Sequence, residues 1–126
     1  MIYKTTSDKS LQEVKENLTA HAKEHTFGVL HQYEFQKILQ AKGFPIDKDI
    51  TVYELCNPKG AQEVLTQLSE ISVFLPCRIS VYEENGKTVL ATINLETLVD
   101  TLNLNDEIKQ HLHAIYKDFI ALLNSF

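Results

Sequence analysis

The stretch Ile71–Ile93 reads ISVFLPCRISVYEENGKTVLATI and contains the clearest secondary-structure pattern in the chain. From Val73 to Val81 every second residue is apolar, which is the period of a β-strand with two different faces. Asn85-Gly86 then favours the positive backbone angles of a two-residue hairpin turn. The alternation resumes after the turn at Val89, Ala91 and Ile93. The pattern predicts a β-hairpin with one apolar face that helices from the rest of the chain must cover.

The size and composition of the chain indicate one globular domain. The sequence has 126 residues, 44% of them hydrophobic, which is enough for one core and too little for two domains. No segment approaches the roughly 18 to 20 consecutive apolar residues of a membrane-spanning helix. The first residues, Met1 to Lys4, show no pattern of an export signal. We therefore expect a single cytoplasmic domain, residues 1–126, with no membrane partner.

Charge and cysteine content exclude further classes of protein. The formal net charge is -5 and lysine and arginine form no cluster, so we expect no nucleic-acid partner. The two cysteines, Cys56 and Cys77, are too few for a disulfide framework and are expected to stay reduced. The chain has no phosphate-binding glycine loop and no Cys-x-x-Cys motif, and we expect no cofactor.

The remaining elements complete an α+β pattern. Alternating segments predict further strands at Ile2–Thr6, Phe27–Phe35 and Ile50–Cys56. Helical spacing and capping residues predict helices that begin at Leu11, Phe35, Pro58 and Leu95, followed by a last helix that carries Ile108 to Phe126. This last helix has the widest apolar face, so it is the best candidate for the cover on the central sheet.

The segment Cys56-Asn57-Pro58 is the strongest candidate site. Asparagine is a favoured N-cap and proline a favoured first helical residue, so Cys56 precedes the start of a helix. Unpaired amides and the positive end of the helix dipole favour a thiolate there and can also hold an anion. One interpretation is a reactive thiol or small-anion site formed by Cys56, Asn57 and Pro58. The other is a small buried residue followed by a simple cap.

The relation of Cys77 to Cys56 depends on the topology. Cys77 shares a predicted strand face with Ile79 and Val81, which is typical of a buried, unreactive cysteine. An antiparallel return between the two strands brings both thiols to one end of the sheet, whereas a parallel crossover separates them. Spacing and composition leave both arrangements open.

The histidines offer a weaker candidate metal site. His21 and His25 lie one helical turn apart and could chelate a divalent cation, but two histidines in a last turn also interact favourably with the negative end of a helix. Together with Cys56 and Cys77, one histidine would give a nitrogen and sulfur ligand set that suits zinc. His31 lies on the aromatic face of a strand and is interpreted as a core or interface residue.

The order of motifs along the chain resembles the prokaryotic domain-of-unknown-function family 302. The motifs are Ser10-Leu11, Phe27-Gly28-Val29-Leu30, Leu55-Cys56-Asn57-Pro58, and Phe74-Leu75-Pro76-Cys77 leading into Val81-Tyr82-Glu83. The resemblance implies a curved, mainly antiparallel sheet packed against helices, similar to the TATA-binding-protein-like fold, and a tendency to self-associate. It also favours the antiparallel return that places Cys56 and Cys77 at one end of the sheet. The family has no established activity, so the resemblance assigns no catalytic residue, and a shared fold alone does not imply DNA binding.

Three hypotheses of function follow. The leading one is a homodimeric module without catalysis that binds a small ligand, an anion or a partner protein between sheet and helices. The second is a thiol-dependent protein in which Cys56 reacts and Cys77 is a possible partner, for sulfur handling or oxidant sensing. The third is a zinc binder that uses both cysteines and a histidine. Any enzymatic activity depends on Cys56 alone, so an enzyme is the less favoured class.

Overall fold

One five-stranded antiparallel sheet organises the protein. In the computed structural model, which describes residues 1–126, the strands are β1 (Ile2–Ser7), β2 (Gly28–Glu34), β3 (Thr51–Cys56), β4 (Cys77–Glu84) and β5 (Lys87–Ile93). The strand order is β1-β5-β4-β3-β2, and every neighbouring pair is antiparallel. The sheet is open, with β1 and β2 at its edges. The predicted α+β class is confirmed, and the arrangement is compatible with the TATA-binding-protein-like fold.

Five α-helices and one 3₁₀ segment accompany the sheet. They are α1 (Leu11–Glu24), α2 (Phe35–Ala41), α3 (Pro58–Gln67), the 3₁₀ segment (Ser69–Phe74), α4 (Leu95–Thr101) and α5 (Asp106–Leu123). Four helices have side-chain N-caps, namely Ser10, Asn57, Asn94 and Asn105; for the last helix the sequence had left Asn103 and Asn105 as alternatives. Each cap accepts a hydrogen bond from the backbone N–H three residues later, which stabilises the first turn. None of the helices is both long and apolar enough to span a bilayer.

The hairpin turn forms as predicted, but the residues of β5 that face the core are not the predicted ones. Asn85 and Gly86 have φ angles of 53° and 77°, and the two-residue turn places Val81 opposite Leu90. Cross-strand partners share a face, so Leu90 joins Val81 in the core. Val89, Ala91 and Ile93 lie on the opposite face, and assigning them to the same apolar face as Val81 was wrong. We call that opposite side of the sheet the open face.

The first part of the predicted hairpin strand does not form a strand, so this prediction was also wrong. Ser69–Phe74 forms the 3₁₀ segment, and β4 begins only at Cys77, after a cis peptide bond between Leu75 and Pro76. Val73, which the alternation placed on the apolar face, is 77% exposed. Backbone hydrogen bonds within this segment, such as that from the Leu75 N–H to the Ser72 carbonyl, replace those of a strand.

The hydrophobic core lies between the sheet and the helices. Its strand residues are Tyr53, Leu55, Cys77, Ile79, Val81 and Leu90. Helix α1 packs along β2, β4 and β5, while α5 packs beside α3 and α4. Phe119 of α5 is fully buried, and its ring meets Phe27 edge to face with centroids 5.2 Å apart. Helices α1 and α5 together therefore cover the apolar face, for which α5 was the best predicted candidate.

Candidate functional site

Cys56 lies at the point where β3 passes into α3. It is a free, half-buried thiol directly before the N-cap Asn57 and the first helical residue Pro58, as the sequence predicted. Alternation along β3 places it on the open face, on the same side as Glu54. Its β2 partner is Gly28, where an added Cβ would meet no other atom within 4 Å. A small reagent can therefore approach this end of the open face.

Asn57 uses its whole side chain to hold this junction. Its Oδ1 accepts a hydrogen bond of 3.0 Å from the Gly60 N–H, and its Nδ2 donates one of 3.2 Å to Thr26 Oγ1. The Ala61 N–H bonds to the Asn57 carbonyl, and Pro58 has no N–H. Lys59 is thus the one residue of the first turn whose N–H is left for an anion.

Cys77 lies at the same end of the sheet but faces the core. Strands β3 and β4 are antiparallel and pair Leu55 with Cys77, so the antiparallel return is confirmed and Cys56 lies one residue beyond that pair. Neighbouring residues of a strand point to opposite faces, so the two thiols lie on different sides of the sheet. Burial, followed by the negative charge of a Cys56 thiolate, raises the pKa of Cys77 to about 12. Cys77 is therefore a neutral, apolar core group at physiological pH.

An apolar pocket lies beside Cys77, between the 3₁₀ segment and α4. It has a narrow inner part of about 20 Å³, lined only by hydrophobic residues, that adjoins an outer part of about 130 Å³. The two parts share Phe74, Leu75, Cys77, Leu95 and Leu98. Arg78 lines the outer part. Of these residues only Cys77 was a candidate site residue from the sequence, because the pocket depends on the 3₁₀ segment that was predicted as a strand.

Each predicted metal-binding histidine has another partner. His21 Nδ1 is 2.8 Å from Ser125 Oγ, and its ring stacks on Phe126 with centroids 4.2 Å apart. His25 Nδ1 is 2.8 Å from the His21 carbonyl oxygen. The structure contains no group of three or more histidine, cysteine or acidic side chains that could hold a metal ion. These contacts fix the end of α1 and the last residues of the chain.

The open face carries a polar network that the sequence did not predict. Arg78 donates two hydrogen bonds of 3.1 Å to Glu54 Oε2 from its Nε and one terminal nitrogen. The neighbouring Tyr33 hydroxyl is the main cause that lowers the pKa of Glu54, and Arg78 lowers it further. His31 is exposed beside Tyr33, with ring centroids 4.3 Å apart, and so is not a core residue. The register of β2, β3 and β4 assembles this network, and the spacing of the residues in the sequence contains no sign of it.

Comparison with known proteins places the chain in a family. The model of the domain of unknown function DUF302 matches residues 3–126. A crystal structure of an uncharacterized conserved DUF302 protein from Bacillus stearothermophilus has a TM-score of 0.88 and 32% sequence identity, and the match covers 98% of this chain and 95% of that one. No protein with curated information matches the sequence. The chain therefore belongs to the DUF302 family, whose function is unknown.

Proposed function

We propose that the protein is a cytoplasmic, homodimeric binding module that takes a small amphipathic ligand in the apolar pocket beside Cys77. The observation that supports this most directly is the pocket itself, whose inner part has a wholly apolar lining and whose outer part opens beside Arg78. Apolar pockets with a few polar groups at one end are typical of small-molecule sites. The proposed ligand has an apolar chain and one anionic end.

The size and the charge of the pocket restrict this ligand. A volume of about 130 Å³ in the outer part is well below the roughly 300 to 1,000 Å³ of sites for drug-sized molecules, so only a narrow chain fits without rearrangement. Glu54 engages two of the three nitrogens of the Arg78 guanidinium, and the side chain remains 65% exposed. The third nitrogen is therefore available to a carboxylate or a similar anionic group.

Titration with octanoate tests this proposal. We expect saturable binding by calorimetry and chemical-shift changes at Leu95, Leu98 and Cys77. Leu98→Trp fills the pocket and should abolish the binding, whereas Leu65→Trp on the exposed side of α3 should leave it unchanged. Equal binding of octanoate to both variants, or no saturation by wild type below about 10 mM, would contradict the proposal.

Self-association is proposed through the edge strand β2. The apolar face of α5 is largely used inside the core, so it offers little surface to a second chain. Strand β2 instead has an unpaired outer edge. Its residues His31 and Tyr33 form an aromatic row with Phe35, the first residue of α2, and the rings of Tyr33 and Phe35 are stacked at 6.2 Å. Exposed edges with apolar side chains are sites of strand pairing between chains.

Sedimentation measures this association directly. We expect a species of twice the 14.4 kDa chain mass at micromolar concentration. Phe35→Ser should shift it toward the monomer, while Phe44→Ser, at an exposed position outside the aromatic row, should not. A wild-type protein that sediments only as the monomer would refute the dimer.

The thiol-dependent function is kept as the second proposal because of the position of Cys56. Its thiol is the accessible one of the two, and it directly precedes the start of α3. The high pKa of Cys77 and its place on the other side of the sheet argue against Cys77 as a redox partner. In this proposal Cys56 acts alone, and the small-anion site at Asn57 and Pro58 is limited to the Lys59 amide.

A further inference from the structure

A second cavity, separate from the apolar pocket, lies between α1, β2 and α2. Its volume is about 460 Å³, within the usual range for small-molecule sites. Eight of its nine lining residues are polar or charged, and they come from α1, β2, α2 and the loop before β3. The remaining residue is Tyr53, which belongs to the buried core.

Tyr53 carries a polar group that nothing in the protein satisfies. The residue is 2% exposed, and its buried hydroxyl has no hydrogen-bond partner. Burial, followed by the negative charges of Glu34 and Asp49, raises the pKa of this hydroxyl to about 12. Tyr53 itself lines the cavity, as do both carboxylates, so a group bound there could form the missing hydrogen bond.

The charges around the cavity favour a cation. Three carboxylates, those of Glu16, Glu34 and Asp49, face two ammonium groups, so the lining has one excess negative charge. Lys15 Nζ is 3.4 Å from Glu34 and 3.8 Å from Asp49, and Lys37 Nζ is 3.2 Å from Glu34. Glu16 has no cationic partner and accepts only an amide hydrogen bond from Gln12 at 3.0 Å. A ligand ammonium would supply the missing positive charge.

We propose that this cavity binds a small organic cation with a primary ammonium group, such as an aliphatic amine or diamine. The ammonium lies among the carboxylates of Glu16 and Asp49, and one of its N–H groups donates to the Tyr53 hydroxyl oxygen. The amides of Gln32 and Gln36 line the same space and offer further polar contacts to the ligand. This ligand neutralises the excess charge and provides the buried hydroxyl with a partner.

Calorimetric titration with putrescine tests the inference, with sorbitol as a neutral probe and acetate as an anionic one. We expect saturable binding of putrescine alone. Glu16→Gln should weaken it roughly tenfold through the loss of one charge-assisted contact, whereas Glu24→Gln, at an exposed position near the end of α1 outside the cavity, should not. Equal weakening by both variants would show only an effect of net charge and would overturn the proposal.

Tyr53→Phe separates ligand binding from a structural role. The hydroxyl has no partner in the unliganded protein, so its removal should leave the melting temperature unchanged or raise it. The same variant should bind putrescine several-fold more weakly, because the ligand loses one hydrogen bond. Unchanged putrescine affinity in Tyr53→Phe, or no saturation of the wild type below about 10 mM, would overturn the inference.

Discussion

Replacing Gly60 by alanine sets two effects of opposite sign against each other. Gly60 lies in the first turn of α3, where alanine has a higher helix propensity by up to about 1 kcal/mol. However, an added Cβ would lie 2.7 Å from both Cδ1 and Cγ1 of Ile115 on α5, which is closer than carbon atoms can pack. Overpacking in a well-packed core typically costs about 1 to 3 kcal/mol. We therefore expect Gly60→Ala to lower the free energy of unfolding by about 1 to 2 kcal/mol.

The Ile115→Ala background should reverse this sign. Ile115→Ala alone removes both clashing atoms and should cost about 2 to 5 kcal/mol through the cavity that it leaves. In that background the alanine at position 60 meets no obstacle, fills part of the cavity and keeps its helix propensity. Gly60→Ala should then be neutral or stabilising, so the double-mutant cycle should give a large coupling energy.

Urea denaturation of the four proteins of the cycle measures these values, provided that the m-value stays constant. The transition midpoint of Gly60→Ala should fall in the wild-type background and rise or stay level beside Ile115→Ala. Additive effects would refute the reasoning, because they would show that α3 and α5 do not approach as closely at Gly60 as the structure has them.

Three further predictions concern the core, the thiols and the open face. Phe119→Ala should cost about 3 to 5 kcal/mol in chemical denaturation, since the ring is fully buried; a loss below about 1 kcal/mol would mean that α5 is not part of the core. An alkylating reagent near pH 7 should modify Cys56 well before Cys77, whose pKa burial raises to about 12, and equal slow labelling would remove the thiol hypothesis. The neighbouring Tyr33 hydroxyl, and then Arg78, hold the pKa of Glu54 below its usual 4.5. Its ionised form therefore stabilises the fold at neutral pH, and this contribution is lost as the pH falls through the folded pKa. Glu54→Gln should therefore destabilise the protein at pH 7 and match wild type in strong acid, and a constant difference across this range would contradict the assignment.

Local chemistry made the helix starts and the hairpin turn predictable. Ser10, Asn94 and Asn105 cap their helices because a short polar side chain can reach the N–H three residues later, a contact that depends on the nearby sequence alone. Asn85-Gly86 formed a tight turn for the same reason, since both residues tolerate positive φ. The position of Cys56 before α3 followed directly from the Asn57 cap.

The faces of the strands were less predictable, because register and bulges decide them. Val89, Leu90 and Ala91 are all apolar, so either alternation fits the sequence and only the pairing with Val81 selects Leu90 for the core. In β2, a register shift between Val29 and His31 likewise decides which side chains face the core. It leaves Val29 beside the core and turns His31 to the open face, although the two residues are separated by two positions.

The pockets depend on the tertiary structure and could not be predicted from the sequence. The apolar pocket exists because the 3₁₀ segment leaves Phe74 and Leu75 facing Leu95 and Leu98 of α4. Alternation of apolar residues before Pro76 pointed to a strand, and tertiary packing overrode this local pattern. The polar cavity beside Tyr53 likewise exists only because the tertiary structure places α1 next to β2, α2 and the start of β3.

The pairing of β1 with β5 constrains how the protein folds. Its partners, from Ile2 with Ile93 to Ser7 with Thr88, are more than 80 positions apart, so a large loop must close before any of these hydrogen bonds form. Such non-local contacts slow folding, and we expect β1 to be added after the β4–β5 hairpin has formed. Until then the outer edge of β5 offers unpaired backbone groups to other chains. The vulnerable species for aggregation is therefore a folding intermediate that lacks β1, and the nascent chain cannot complete its sheet until β5 has been synthesised.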